Sequence, residues 1–234
     1  MGIMSAEWRQ LCNGGKIDFV GYIGIIVVPA IVFITFIVDI SIALIVMLVA
    51  GLVVWLTLRL HGGRKRVSGG WTTSGIISIG CTGSALVWLR EFGEGGFQLV
   101  FWLVISIWIT DTFAYYLGRY VKGPKLALTI SPNKTWSGLI GGVLGAALWS
   151  AIWSYWMGAG TVWMLAVIGA GTAVLAQLGD LSVSVVKRRF GVKNTGNLIP
   201  GHGGVLDRMD GFLGAVPFVS LSLAVAKGNF FLWS

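Results

Sequence analysis

Apolar runs of membrane-crossing length alternate with polar connections along the chain, over about 20–38, 40–58, 72–90, 97–117, 138–157, 161–179 and 212–230. A hydrocarbon core takes roughly 17 to 25 such residues as a helix, so each run predicts one span. The third run is the most diluted, with Gly, Ser and Thr throughout. The first two runs are separated only around Asp39-Ile40, which predicts a tight helical hairpin or a broken pair. The expected fold class is all-α: a polytopic membrane helical bundle of about seven transmembrane helices.

Composition supports that reading. The chain is 56% hydrophobic and 11% charged, where a soluble domain carries about a quarter charged residues. Its 12 Trp suit interfacial anchoring and its 35 Gly suit close helix packing. The residues before Asp18 are mixed and polar, without the compact basic-then-apolar layout of a signal peptide. The first run is therefore expected to stay as a span. Cys12 and Cys81 lie far apart without metal-type spacing and read as reduced thiols.

The net charge of +8 changes the picture only through where it falls. Arg9 and Lys16 precede the first run; Arg59, Arg64, Lys65 and Arg66 follow the second. Arg119, Lys122, Lys125 and Lys134 follow the fourth, and Lys187, Arg188, Arg189, Lys193 and Arg208 lie between the sixth and seventh. The intervening connections carry Asp39, Glu91 and Glu94 or no charge. Only Arg90 and Lys227 fall on the other side. The positive-inside rule makes the basic side cytoplasmic, with the N-terminus inside and the C-terminus outside. Nucleic acid is not expected as a partner, because the basic segments lack aromatic interleaving and any nucleic-acid module.

The chain reads as one integrated domain. Membrane helices occupy 1–96, and a second membrane region over 97–234 carries two long cytoplasmic segments, 118–137 and 180–211. Segments of this length in a compact protein are functional or disordered. In the second, Asp180, Ser184, Lys187 and Arg188 recur at i, i+4, i+7 and i+8, one helix face if the sixth span continues. Next come His202, Gly203 and Gly204, then Asp207, Arg208 and Asp210, the two carboxylates three residues apart. Hard oxygen ligands beside fixed cations and glycines suit a phosphate ligand with a divalent metal. The alternative for either Asp alone is an interfacial carboxylate paired with Arg. His202 could serve as acid–base, metal ligand, phosphate donor or buried structural residue; a second His-Gly-Gly at His61 has no carboxylates after it. In the first segment, Ser131-Pro132-Asn133-Lys134-Thr135 precedes a span as a turn and cap, with an anion site or simple capping as its role. Asp111 inside the fourth span is a functional candidate because an intramembrane carboxylate is costly.

The stretch from Ser184 through Lys187-Arg188, Lys193-Asn194 and His202-Gly203-Gly204 to Asp207-Arg208-Met209-Asp210 resembles the signature of the phosphatidate cytidylyltransferase (CDP-diglyceride synthetase) family. Ser131 to Thr135 and Asp111 also resemble family features, so the similarity covers about 98–226. One position departs: the family has Lys-Asp where this chain has Lys193-Asn194, which keeps the shape and an acceptor oxygen but loses the charge. The resemblance implies an integral membrane nucleotidyltransferase that turns CTP and phosphatidate into CDP-diacylglycerol and pyrophosphate. It implies Mg²⁺ or another divalent cation on Asp180 and Asp207, supported by Asp210, with a monovalent cation as an open addition. Lys187, Arg188 and His202 would act with them, His202 by positioning or by binding phosphate. Ser131, Lys134, Thr135, Ser184, Arg208, Gly203, Gly204 and Asp111 would lie near substrate. The setting implied is the bacterial cytoplasmic membrane, with the site facing the cytoplasm and a homodimer as a candidate assembly. Competing readings are a CTP-dependent lipid or polyprenol kinase, an ion-coupled transporter and an inactive scaffold.

Overall fold

The computed structural model describes residues 1–61, 66–158, 161–201 and 203–226. Arg64, Lys65, His202 and Lys227 lie outside the described residues. Among the described residues the fold is all-α apart from one small hairpin and an isolated bridge between Ile199 and Gly203. In chain order the elements are α1 (Gly2–Cys12), α2 (Phe19–Ile37), α3 (Ile40–His61), α4 (Arg66–Arg90), α5 (Gly96–Tyr120), β1 (Lys125–Ala127), β2 (Ser131–Thr135), α6 (Trp136–Met157), α7 (Val162–Arg189), α8 (Leu206–Met209) and α9 (Phe212–Val225). Among the described residues, seven helical segments are long and apolar enough to cross a membrane, one for each apolar run. Their outward residues suit lipid: Ile26, Phe33, Ile45 and Leu52 are each more than half exposed. The chain is an integral membrane helical bundle, with seven apolar spans among its described residues.

Four local features go beyond the sequence reading. The polar N-terminal stretch is helical, as α1. The sixth span does not stop near residue 179, because α7 runs to Arg189. Its continuation still has an inner side, with Val183 and Val186 buried. Between the end of α5 at Tyr120 and the start of α6 at Trp136 lie a turn and a hairpin, β1 pairing antiparallel with β2 through Lys125 with Thr135 and Ala127 with Ser131. The seventh run enters through α8, a break and the short α9, so Asp207 on α8 and Asp210 beyond its end do not share one helix.

The described residues form two compact units, Met1–Trp88 with Val185–Met209, and Leu89–Ser184 with Asp210–Ser234. In the first, α1 is held by polar side chains as well as apolar ones. The Trp8 indole N–H donates to the Trp71 carbonyl at 2.6 Å. A side chain on Gly75 would begin 1.9 Å from that nitrogen, so glycine there lets α4 approach α1. Arg9, 1% exposed, donates to Asp18 at 2.9 Å and to Thr72 at 2.8 Å. Asp18 in turn caps α2 by accepting from the Gly21 N–H. The Arg9 hydrogen bond holds the Asp18 carboxyl below its usual range. Burial pushes the Cys12 thiol up to about 12, which fits an inert, reduced cysteine.

In the second unit, α5 and α6 meet through small residues. Gly138, Gly141, Gly142 and Gly145 repeat along one face of α6, and side chains there would begin within 3 Å of Ala114, Leu117, Thr110 and Phe113 on α5. This close approach is the usual way for membrane helices to gain packing when burial from water supplies little drive. Trp102, fully buried, closes the same interface by donating to the Ser150 hydroxyl at 3.1 Å.

Candidate functional site

Within the second unit, α5, β2, α6 and α7 bring charged side chains to one cavity of about 280 Å³. The chain enters it by a tight turn at Lys122 and Gly123, both at positive φ. The Lys122 carbonyl there accepts from the Ser137 hydroxyl. The hairpin then delivers Asn133, Lys134 and Thr135 to the wall. Thr135 caps α6 by accepting from the Gly138 N–H at 3.1 Å, so its hydroxyl serves the helix end. Lys134 reaches α7, 2.7 Å from Asp180 Oδ2 and 3.3 Å from the Gln177 carbonyl. Ser184 donates to Asp180 Oδ1 at 3.3 Å. Asp111 faces the same cavity from α5 and feels the charges of both Asp180 and Lys134. Gln177 completes the wall; among the described residues its Nε2 is buried without a hydrogen-bond partner.

Two carboxylates, one ammonium and an unused amide donor therefore line one small space. A carboxylate pair is what Mg²⁺ takes from a protein when phosphate and water complete its shell. The described residues hold no group of three or more His, Cys, Asp or Glu that could close around a metal by themselves. The donor set thus fits a cation shared with a phosphate-bearing ligand. Lys134 and the Gln177 amide supply the complementary donors for anionic oxygens.

Within the first unit, the end of α7, the loop after it and α8 form a second constellation. Lys187, only 8% exposed, donates to Asp207 Oδ1 at 2.8 Å. Asp207 Oδ2 accepts from the backbone N–H of Thr195 at 2.9 Å and of Gly204 at 3.0 Å. Gly203 has φ +84, and a side chain there would begin 2.7 Å from Asp207 Oδ2, so both backbone and space require glycine. The same point lies 3.5 Å from the Asn194 amide carbon and from the Asp207 carboxyl carbon. The departing position 194 thus neighbours the central carboxylate of this loop. A cavity of about 340 Å³, lined by Asn194, Thr195 and Asn197 with Gln10, opens beside it.

The sequence candidates thus fall into two groups. Asp111, Lys134, Thr135, Asp180 and Ser184 belong to the first constellation, and Lys187, Gly203, Gly204 and Asp207 to the second. Asp180, Ser184, Lys187 and Arg188 do share one continuous helix, α7. Ser131 begins β2 opposite Ala127, while its neighbours form the cavity wall. Arg188 donates to the Val192 carbonyl at 3.2 Å and so closes the end of α7. Arg208 lies on α8, and Asp210 accepts from the Gly211 N–H ahead of α9. His202 lies outside the described residues. Sequence reasoning passed over Gln177, next to Asp180 in position and polar within an apolar run. It also passed over Glu7, whose partners lie nearly two hundred residues away in the chain.

A family model described as "Cytidylyltransferase family" matches residues 2–226. The chain is 39% identical over 178 residues to a protein of Brucella abortus named phosphatidate cytidylyltransferase, covering 76% of this chain and 64% of the relative. It is 36% identical over 149 residues to a Staphylococcus saprophyticus protein of the same name, covering 63% of this chain and 57% of that protein. The chain therefore spans about 57–64% of the length of these relatives.

Proposed function

The chain belongs to the cytidylyltransferase family, and from that premise we propose that it transfers a cytidylyl group from CTP to phosphatidate, giving CDP-diacylglycerol and pyrophosphate. The observation that carries this reading is the cavity that Asp111, Lys134, Gln177 and Asp180 line, with Asp111, Gln177 and Asp180 on apolar spans. Phosphatidate is already ionised at neutral pH, so its phosphate needs no strong base before attacking the α-phosphorus of CTP. The barrier lies in bringing two anions together and stabilising the departing pyrophosphate, a task for positioned cations and dipoles.

Asp111 and Asp180 would hold the divalent cation, which when bound neutralises and orients phosphate oxygens. Lys134 balances the two carboxylates and offers its remaining N–H to a phosphate. Gln177 Nε2 supplies a further donor without giving up a bond to any described residue. From sequence the metal falls to Asp180 and Asp207. The Asp207 oxygens already accept three donors, which favours giving it the loop and Asp111 the cation. Lys187, Arg188 and Arg208, with Ser131 and His202, keep the substrate-side roles that the family resemblance gives them. The basic connections support a site on the cytoplasmic face of a bacterial cytoplasmic membrane, where lipid headgroup and CTP meet.

The test is turnover of purified protein in mixed micelles with CTP, phosphatidate and Mg²⁺, beside Asp180→Ala and Asp111→Asn. Loss of CDP-lipid on chelation, and a fall of at least about a hundredfold in both variants, is the expected result. Undiminished turnover in either variant removes it from the proposed cation site. Absence of any CDP-lipid, even after Asn194→Asp restores the family carboxylate, overturns the proposed reaction.

A further inference from the structure

The N-terminal helix holds the loop after α7 through one carboxylate. Glu7 on α1 is 5% exposed. Its Oε1 accepts from the Val205 N–H at 2.9 Å, and its Oε2 from the Leu206 N–H at 2.8 Å and the Thr195 hydroxyl at 3.4 Å. Side chains on Gly196 and Gly204 would begin 3.0 Å and 2.5 Å from its oxygens, so the loop backbone lies directly on the carboxylate. From its other side the same loop gives the N–H groups of Thr195 and Gly204 to Asp207. The consecutive amides of Gly204, Val205 and Leu206 are thus divided between two carboxylates. The loop is held as a bracket around the Lys187–Asp207 pair.

We propose that Glu7 is a positioning residue for the transfer reaction: its carboxylate fixes the Thr195–Leu206 loop in the shape that sets Asp207 against Lys187. The inference rests on the function proposed above, and it gives α1 a part in that function without contact to substrate. The chemistry asks for a carboxylate of this length. Glutamine would turn an NH₂ group toward one of the donors, and aspartate is one methylene short of both amides. A burial role alone would tolerate glutamine.

The experiment uses the full chain in detergent with Glu7→Gln and Glu7→Asp, reading hydrogen exchange over 195–207 and steady-state kinetics together. Expected in Glu7→Gln are exchange at least about tenfold faster, confined to this loop, and a kcat lower by about tenfold or more with KM for CTP nearly unchanged. Glu7→Asp should fall between Glu7→Gln and the native chain on both readouts. Unchanged exchange in Glu7→Gln overturns the clasp. Fast exchange with native kcat overturns the positioning role, and exchange rising equally throughout α7 and α9 reduces Glu7 to a structural residue. If the native chain makes no CDP-lipid, the reaction and the positioning role both fall, while the exchange data still decide whether Glu7 holds the loop.

Discussion

Lys134 is the residue on which the cavity charges balance, since it alone of the described wall residues there is cationic. Replacing it with Met leaves Asp111 and Asp180 facing each other without their ammonium, and like charges at short range resist ionising together. Lys134→Met is therefore expected to lower kcat/KM by about a hundredfold, with Lys134→Arg recovering part of it; equal turnover in native and Met chains would remove Lys134 from the site. Gln177 is a different case, because its Nε2 makes no bond within the described protein. Gln177→Met should cost about tenfold in turnover while leaving the thermal midpoint nearly unchanged. A large drop in midpoint with native kcat would mark Gln177 as structural. Asp111 was legible in the sequence because a carboxylate in an apolar run stands out. The Lys134–Asp180 pair was not, because nothing local joins residues brought together by the hairpin and α7.

Among elements, the apolar helices were readable from run length and charge placement, which lipid imposes directly on sequence. α1 was not. It has 11 residues, shorter than an isolated helix needs for stability in water, and its contacts with Trp71, Thr72 and Asp18 are what order it. The continuation of α7 to Arg189 was an open alternative in the sequence, because its charged residues fit a helix face and a polar loop alike. The Arg9–Asp18 pair between α1 and the start of α2 carries a pH signature. Arg9 holds the Asp18 carboxyl below its usual range, so the folded state binds this proton less readily than the unfolded chain. That contribution is present above the ordinary carboxylate range near pH 4 and disappears as pH falls through the lowered folded value. Asp18→Asn should thus melt earlier than the native chain at pH 7, with the gap closing toward pH 3 in a detergent melting series. A gap that stays constant across that range would detach Asp18 from the acid response.

At the scale of the molecule, the proposed reaction needs a lipid whose tails remain in the bilayer and a nucleotide that comes from water. On that reading the apolar spans would meet the first requirement and the charged cavity the second. Asn194 bears on whether the chain is active at all. The amide neighbours Asp207, yet Asp207, Lys187 and Glu7 hold the loop through bonds that do not involve it. The chain is accordingly expected to turn over with Asn194 in place, and Asn194→Asp to change kcat by less than about tenfold. The most direct test of the central claim is the fate of label from CTP carrying it at either the α- or the γ-phosphate, incubated with purified protein, phosphatidate and Mg²⁺. The account predicts α-label in the lipid and γ-label in pyrophosphate. Label from the γ-phosphate in the lipid, with CDP released, would show a kinase and contradict it.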